Sequence, residues 1–231
     1  MNRSKLVLRP AIFCALVLGI TALTGGVAQA EVGSNWMVNG ANLTSPLLPE
    51  LQVKEVENNT ISLLFTTLGG TKVEILCTQM LWPGAKLGIE GKVDLFKMIF
   101  HGCITKLNGT ISKNCEPFTG ASKGLLETLG LTGLIVLHEG VGLLRITPED
   151  GVFTHILFGE LCAIAEELLE RGVLFLKDCQ NSFAVEQVDH LFEQGPLTAM
   201  TIGNIPSTLD GSFVLRLGGV HLGLKWSGLP A

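Results

Sequence analysis

Apolar residues recur at every second position through most of this chain, and glycines break the runs at short intervals. Phe213, Leu215 and Leu217 alternate with polar residues. After Gly218-Gly219 the series Val220, Leu222, Leu224 and Trp226 repeats the pattern, with Arg216, His221 and Lys225 falling between. A strand shows successive side chains to opposite faces, so this period marks half-buried strands and the two series read as a hairpin. Residues 60–67 and 71–80 flank Leu68-Gly69-Gly70 in the same manner. The run 92–107 is apolar on both sides around Phe96 to Phe100 and reads as a central strand. Runs at 134–138, 141–147, 152–158 and 173–178 each end at Gly, Pro or Asp-Gly. Strands at this spacing predict an all-β, mainly antiparallel sandwich or barrel.

Two segments carry a competing helical signal. Residues 182–194 open on Ser182, place Val185, Val188, Leu191 and Phe192 near one face, and stop at Gly195-Pro196. That pattern admits one short helix near 182–194. Residues 164–171 hold the helix formers Glu166, Glu167, Leu168, Leu169 and Glu170. A helix there conflicts with a hairpin joining Cys162 to Cys179, and both readings stay open.

The first thirty residues form a separate object. Arg3, Lys5 and Arg9 lead into an apolar run from Ala11 to Leu23, and Ala28-Gln29-Ala30 gives a small-x-small site. This is the layout of a secretory signal peptide, with cleavage before Glu31. The expected divisions are a signal peptide over 1–30, an extended arm over 31–50 and a single β-rich domain over 51–231. The chain has 231 residues, 47% of them hydrophobic and 16% charged, which excludes a disordered polymer. With 16 Lys+Arg against 21 Asp+Glu and no basic stripe, binding to nucleic acid by bulk charge is also excluded. The expected location is extracytoplasmic, with no membrane span once the signal is removed.

An exported chain forms disulfides. Cys77, Cys103, Cys115, Cys162 and Cys179 remain after cleavage. Cys103 and Cys115 lie symmetrically about Gly109 in a segment with an Asn-Gly turn signal, so a three-residue turn would bring them face to face. Cys162 and Cys179 are symmetric about Glu170-Arg171. The expected bridges are therefore Cys103–Cys115 and Cys162–Cys179. Cys77, in line with Val73 and Ile75, is left as the buried unpaired thiol, with a Cys77–Cys103 bridge, a Cys77–Cys162 bridge or an intermolecular bond as the rival readings.

The order Cys77-Thr78, Phe100-x-Gly-Cys103, Cys115-Glu-Pro117, Phe158-Gly-x-x-Cys162, Leu176-Lys-Asp-Cys179, Gln194-Gly-Pro-Leu-Thr198 and Gly223-Leu-Lys-Trp-Ser-Gly228 resembles a family of secreted, cysteine-containing, β-rich proteins. They are common in soil actinobacteria, especially Solirubrobacter-like lineages. The resemblance covers nearly all of the exported chain. It implies a bacterial exported protein and supplies no catalytic residue.

No catalytic, cofactor-binding or metal-ligating residue is assigned from the sequence. His138-Glu139 lacks the second histidine of a zinc helix, and Gly140 and Gly142 break any helix there. Asp189 and His190 are adjacent and point in different directions, and no nucleophile elbow accompanies them. Glu166, Glu167 and Glu170 read as a solvated acidic face. Trp36, Trp82 and Trp226 read as core packing, with a carbohydrate-binding surface as the rival. The expected function is a non-catalytic structural or interaction protein, with cell-wall polysaccharide or another surface protein as partner. The alternative is a hydrolase assembled around His138 and Glu139 or around Asp189 and His190.

Overall fold

The computed structural model describes residues 34–44, 49–54, 60–179 and 183–229. The predicted signal peptide lies outside them. The fold is mainly antiparallel β, as the alternation predicts. The helical segments among the described residues are single 3-10 turns, Lys113–Cys115 and Gly219–His221.

The strand pairings close into two rings. In the first, Lys86–Leu87 pairs with Lys92–Leu95, which pairs with Leu131–His138, which forms a hairpin with Val141–Pro148. The ring continues through the second half of Glu167–Asp178, then Asp189–Gln194, Ser212–Leu217 and Leu51–Lys54. It returns to its start through a Glu50–Lys86 bridge, with Leu51 N–H donating to Ala85 O and Leu87 N–H to Pro49 O. In the second ring, Ile61–Thr66 pairs with Lys72–Cys77, which pairs with Ile104–Leu107. That strand extends back through Ile99–His101 to pair with Leu125–Glu127. A Thr128–Thr154 bridge leads to Val152–Leu157, which pairs with the first half of Glu167–Asp178. Ala199–Ile202 and Ile205–Asp210 then complete the circuit back to Ile61–Thr66. Closing a sheet on itself removes exposed strand edges. We call these the His190 ring and the Glu170 ring after the ionisable groups inside them.

Glu167–Asp178 belongs to both rings because it bends at Gly172. Gly172 has φ +117°, and a β-carbon there would overlap the carbonyl oxygen of Ala199. Gly211, at φ +120°, plays the same part between Ile205–Asp210 and Ser212–Leu217, where a β-carbon would sit 2.6 Å from Thr60 O. Only glycine fits a left-handed bend pressed against backbone. Gly172→Ala is expected to lower unfolding free energy by more than about 1 kcal/mol, read by denaturant titration.

The described residues 34–44 include two short paired strands. Asn35–Val38 aligns with Trp226–Leu229 and with Ala41–Asn42. It carries Trp36 onto the aromatic interior of the His190 ring, where the Trp36 indole N–H donates to Lys92 O at 2.6 Å.

Several sequence expectations need correction. Within 182–194 the chain is a strand, Asp189–Gln194, and not a helix. His190 and Phe192 are its inward residues, so period two outranks the helical spacing of Val185, Val188 and Leu191. The run 164–171 is not helical either, because its second half joins the long Glu167–Asp178 strand. The predicted second strand after Gly218-Gly219 is a 3-10 turn that leaves Val220 and Leu222 exposed; only Trp226 onward is strand. The run 92–107 is three strands, broken before Ile99 and at Gly102.

Both predicted disulfides are replaced. The structure joins Cys77 to Cys103 and Cys115 to Cys162, and Cys179 belongs to neither bridge. The turn at Asn108-Gly109 has two residues, with φ +48° and +84°, so Lys106 faces Ile111. That register sets Cys103 opposite position 114, one residue short of Cys115, and the hairpin ends at Ile111 before reaching it. Instead Ile104 faces Leu76, and the same register aligns Cys103 with Cys77. Cys162 and Cys179 cannot meet because Gly172 bends a continuous strand where a hairpin was expected. Two disulfides fit an oxidising compartment. Among the described residues no helix is long and apolar enough to cross a membrane.

Candidate functional site in the Glu170 ring

The inward residues of the Glu170 ring come from alternate positions on each strand. Ile61, Leu63 and Phe65 point in from one strand, Val73, Ile75 and Cys77 from the next, and Met200 and Ile202 from a third. Of these, Ile61, Leu63, Ile75, Cys77 and Met200 line a small cavity of about 30 Å3. Glu170 projects into this apolar space and is 3% exposed. Ser207 Oγ, on the neighbouring Ile205–Asp210 strand, donates to Glu170 Oε1 at 2.9 Å. Burial pushes the Glu170 carboxyl up from 4.5 to about 7, and the Ser207 hydrogen bond opposes that shift. Burial wins because an ionised carboxylate loses its water shell and regains one neutral donor.

One end of the same ring opens into a cleft of about 880 Å3. Its walls are the turn at Thr67 to Thr71, the turn at Asn108, the loop containing Ala163 and Ile164, and the turn at Gly203. Leu168, Ile202 and Ile205 form its apolar floor. The Cys115–Cys162 bridge fastens the Ala163 loop to the body. Leu68 and Leu161, beside this opening, are 95% and 79% exposed.

Glu170 was grouped by sequence with Glu166 and Glu167 as a solvated acidic face. That reading holds for Glu166 and Glu167, which are exposed, and fails for Glu170. The alternation contained the signal. Glu170 shares parity with Leu168 and Leu174 on one strand, and that parity faces inward.

The His190 ring holds a second buried polar cluster. His190 Nδ1 lies 2.6 Å from Asp178 Oδ2, and His190 Nε2 lies 2.7 Å from Trp226 O. Gln187 Nε2 donates to Asp178 Oδ2 at 3.0 Å. A carbonyl only accepts, so Nε2 carries a proton. A second proton must lie on the line between Nδ1 and Oδ2. The unit is a buried, hydrogen-bonded His190–Asp178 pair. Trp226 and Phe183 pack on the imidazole with ring centroids 4.4 Å and 5.7 Å away. Both ring nitrogens are engaged, Nδ1 with Asp178 and Nε2 with the C-terminal strand.

The remaining sequence candidates are dispersed. Asp189 faces away from His190 and pairs with Lys54 Nζ at 2.6 Å. His138 and Glu139 sit at the tip of the Leu131–His138 hairpin, where Glu139 and Gly140 have φ +49° and +81° as a two-residue turn demands. Trp36, Trp82 and Trp226 are all buried, so none offers a flat ring to a sugar. Among the described residues no group of His, Cys, Asp and Glu is placed to hold a metal ion.

Comparison of the chain with protein-family models, with curated proteins and with solved structures finds no match. The site must be read from its own geometry.

The raised Glu170 pKa has a calculable effect on folding. Below pH 4.5 the carboxyl is protonated folded and unfolded alike, and it costs nothing. As pH rises from 4.5 to about 7, the unfolded chain releases this proton and the folded chain keeps it, so stability falls. Above about 7 the penalty levels off near ~3 kcal/mol. Glu170→Gln keeps an oxygen for Ser207 and cannot ionise. It is expected to stabilise the protein by up to about 3 kcal/mol at pH 8 and by almost nothing at pH 4, read by urea titration at both.

Proposed function

We propose that this chain is an exported, non-catalytic binding protein whose ligand site is the cleft over the Glu170 ring. One observation carries the reading: a cleft of about 880 Å3, of ligand-binding size and with an apolar lining of Leu168, Ile202 and Ile205, opens at one end of the Glu170 ring. The Cys115–Cys162 bridge holds one wall of that cleft to the barrel, which lowers the cost of ordering it around a ligand. Export is supported by the basic, apolar and small-residue layout of 1–30 together with the two disulfides. The resemblance to exported actinobacterial proteins supports a bacterial origin. The apolar floor favours a hydrophobic ligand over cell-wall polysaccharide. The hydrolase alternative draws no support from its residues, since His190 is committed on both nitrogens and His138 and Glu139 end a hairpin.

The test is saturable binding of a fluorescent alkyl-chain probe to the purified protein. One probe per chain is expected. Ala163→Trp, a substitution at an exposed rim position that fills the cleft, is expected to weaken binding at least tenfold without unfolding the protein. Absence of saturable binding to the unaltered protein overturns the reading.

A further inference from the structure

One wall of the cleft is chemically uneven. Glu167, Leu169 and Arg171 are alternate residues on one face of Glu167–Asp178, and all three line the cleft. They set a carboxylate, an apolar side chain and a guanidinium in a row, about 7 Å from one to the next. Glu167 and Arg171 are the charged residues of the cleft lining, and they are not equivalent. Glu167 Oε1 lies 3.0 Å from His155 Nδ1 on the neighbouring strand, so this carboxylate already has a partner. Arg171 is exposed and belongs to no ion pair among the described residues. The residues opposite it on the two flanking strands are Val152 and Thr201, and neither carries a charge. Glu167 stands four residues away along the strand, about 13 Å, which is beyond a direct pair. A guanidinium presents five donors and no acceptor, in a fork that matches a carboxylate.

An apolar path leads away from this cation. Gly203 N–H donates to Leu169 O at 3.4 Å, which lays the turn at Gly203 against Leu169. Ile202 and Ile205 face each other across that turn, and both line the cleft. Gly203 has φ +60°, and a β-carbon there would meet nothing within 4 Å, so the space over the turn is open. Ile164, on the loop held by the Cys115–Cys162 bridge, lines the same cleft.

We propose that the ligand of this cleft is a single-chain aliphatic carboxylate, with its head group paired to Arg171 and its chain laid past Leu169 over the Gly203 turn, against Ile202 and Ile205. The proposal rests on the cleft being the binding site, and it needs no group inside the Glu170 cavity. Charge complementarity selects the head group. A carboxylate answers the cation that the flanking strands leave without a partner. An alcohol brings no counter-charge, and an amine sets a second cation beside Arg171. An extended peptide fits less well, because its backbone polar groups would lie on apolar side chains without partners.

Calorimetric titration with decanoate, 1-decanol and decylamine at pH 6.5, each below the concentration at which it aggregates, tests this. Decanoate is expected to bind the unaltered protein at least about threefold more tightly than decanol, the size of effect a solvent-accessible ion pair gives, with decylamine the weakest of the three. Arg171→Gln is expected to lose at least about threefold for decanoate while leaving decanol unchanged. Near-UV circular dichroism of the variant confirms that it is folded. A smaller loss for decanoate in Arg171→Gln overturns the proposal. So does decanol or decylamine binding the unaltered protein as tightly as decanoate. If all three ligands bind alike and Ala163→Trp weakens them all, the carboxylate assignment fails while the cleft reading stands. If none binds, both fail.

Discussion

Asp178→Asn is expected to cost about 1–3 kcal/mol of folding stability, the loss typical when a buried hydrogen-bonding group is left without its partner. The substitution keeps the shape of the side chain and removes its charge. His190 is 0% exposed, and its Nε2 must still donate to Trp226 O. The amide offers a single acceptor oxygen where the carboxyl group serves both His190 Nδ1 and Gln187 Nε2. Gln187 loses its charged acceptor in the same step. The effect should spread to the arm, because Trp226 is paired with Val38 and its indole lies 5.7 Å from that of Trp36. Urea titration gives the magnitude. The fluorescence of Trp36 and Trp226 reports whether the arm loosens first. Replacing both partners by apolar residues of similar size, Asp178→Leu with His190→Phe, is expected to recover much of the loss, because neither partner of the pair is then left unbonded. A single Asp178→Asn variant as stable as the unaltered protein would show that the His190–Asp178 pair does not hold this part of the ring.

Removal of the Cys115–Cys162 bridge by paired serine substitutions is expected to cost roughly 4 kcal/mol in the chain-entropy model, because it closes a long stretch of chain. Its sequence separation is 47, against 26 for Cys77–Cys103. The latter joins strands already paired along their length, so its removal should cost somewhat less. For a chain of this size the larger loss corresponds to a fall in Tm of roughly 8–16 °C. Cys162 precedes Ala163 and Ile164 in the cleft wall, so alkyl-probe affinity should fall along with stability. Peptide mapping of the unreduced protein checks the connectivity. The account requires 77–103 and 115–162 crosslinks, and a 103–115 or 162–179 peptide would contradict it.

The β class was legible because period-two alternation is a direct imprint of the pleat. Leu131–His138 with Val141–Pro148, and Ile61–Thr66 with Lys72–Cys77, are hairpins whose turns carry Gly140 and Gly69-Gly70. What local pattern did not fix was which strands become neighbours. Ile104–Leu107 lies between the short strand that follows its own turn and Lys72–Cys77 from earlier in the chain, and the cystine forms on the second side. Symmetry about a turn predicts a bridge only if the turn length is right, and Asn108-Gly109 is shorter by one residue than the symmetric reading needs. Gly172 has the same ambiguity, since a glycine between two strand-like runs can end a hairpin or bend one long strand. The choice depends on Ala199 O lying against it, a contact from distant sequence.

The candidate site was partly hidden for a related reason. Composition groups Glu170 with Glu166 and Glu167, and inward parity separates them only once the segment is known to be a strand and not a helix. His190 was noticed beside Asp189, yet its true partner, Asp178, comes from another strand of the same ring. Adjacent residues on a strand face opposite ways, so Asp189 reaches Lys54 outside while His190 turns in.

The central claim is that a closed wall of strands buries the Glu170 carboxyl among apolar side chains inside its ring. Side-chain carbon-13 resonance titration of this one carboxyl, assigned by its loss in Glu170→Gln, tests it most directly. The account predicts a midpoint near the raised value of about 7. A midpoint at the ordinary 4.5 would mean that water reaches the group and that the ring does not enclose it.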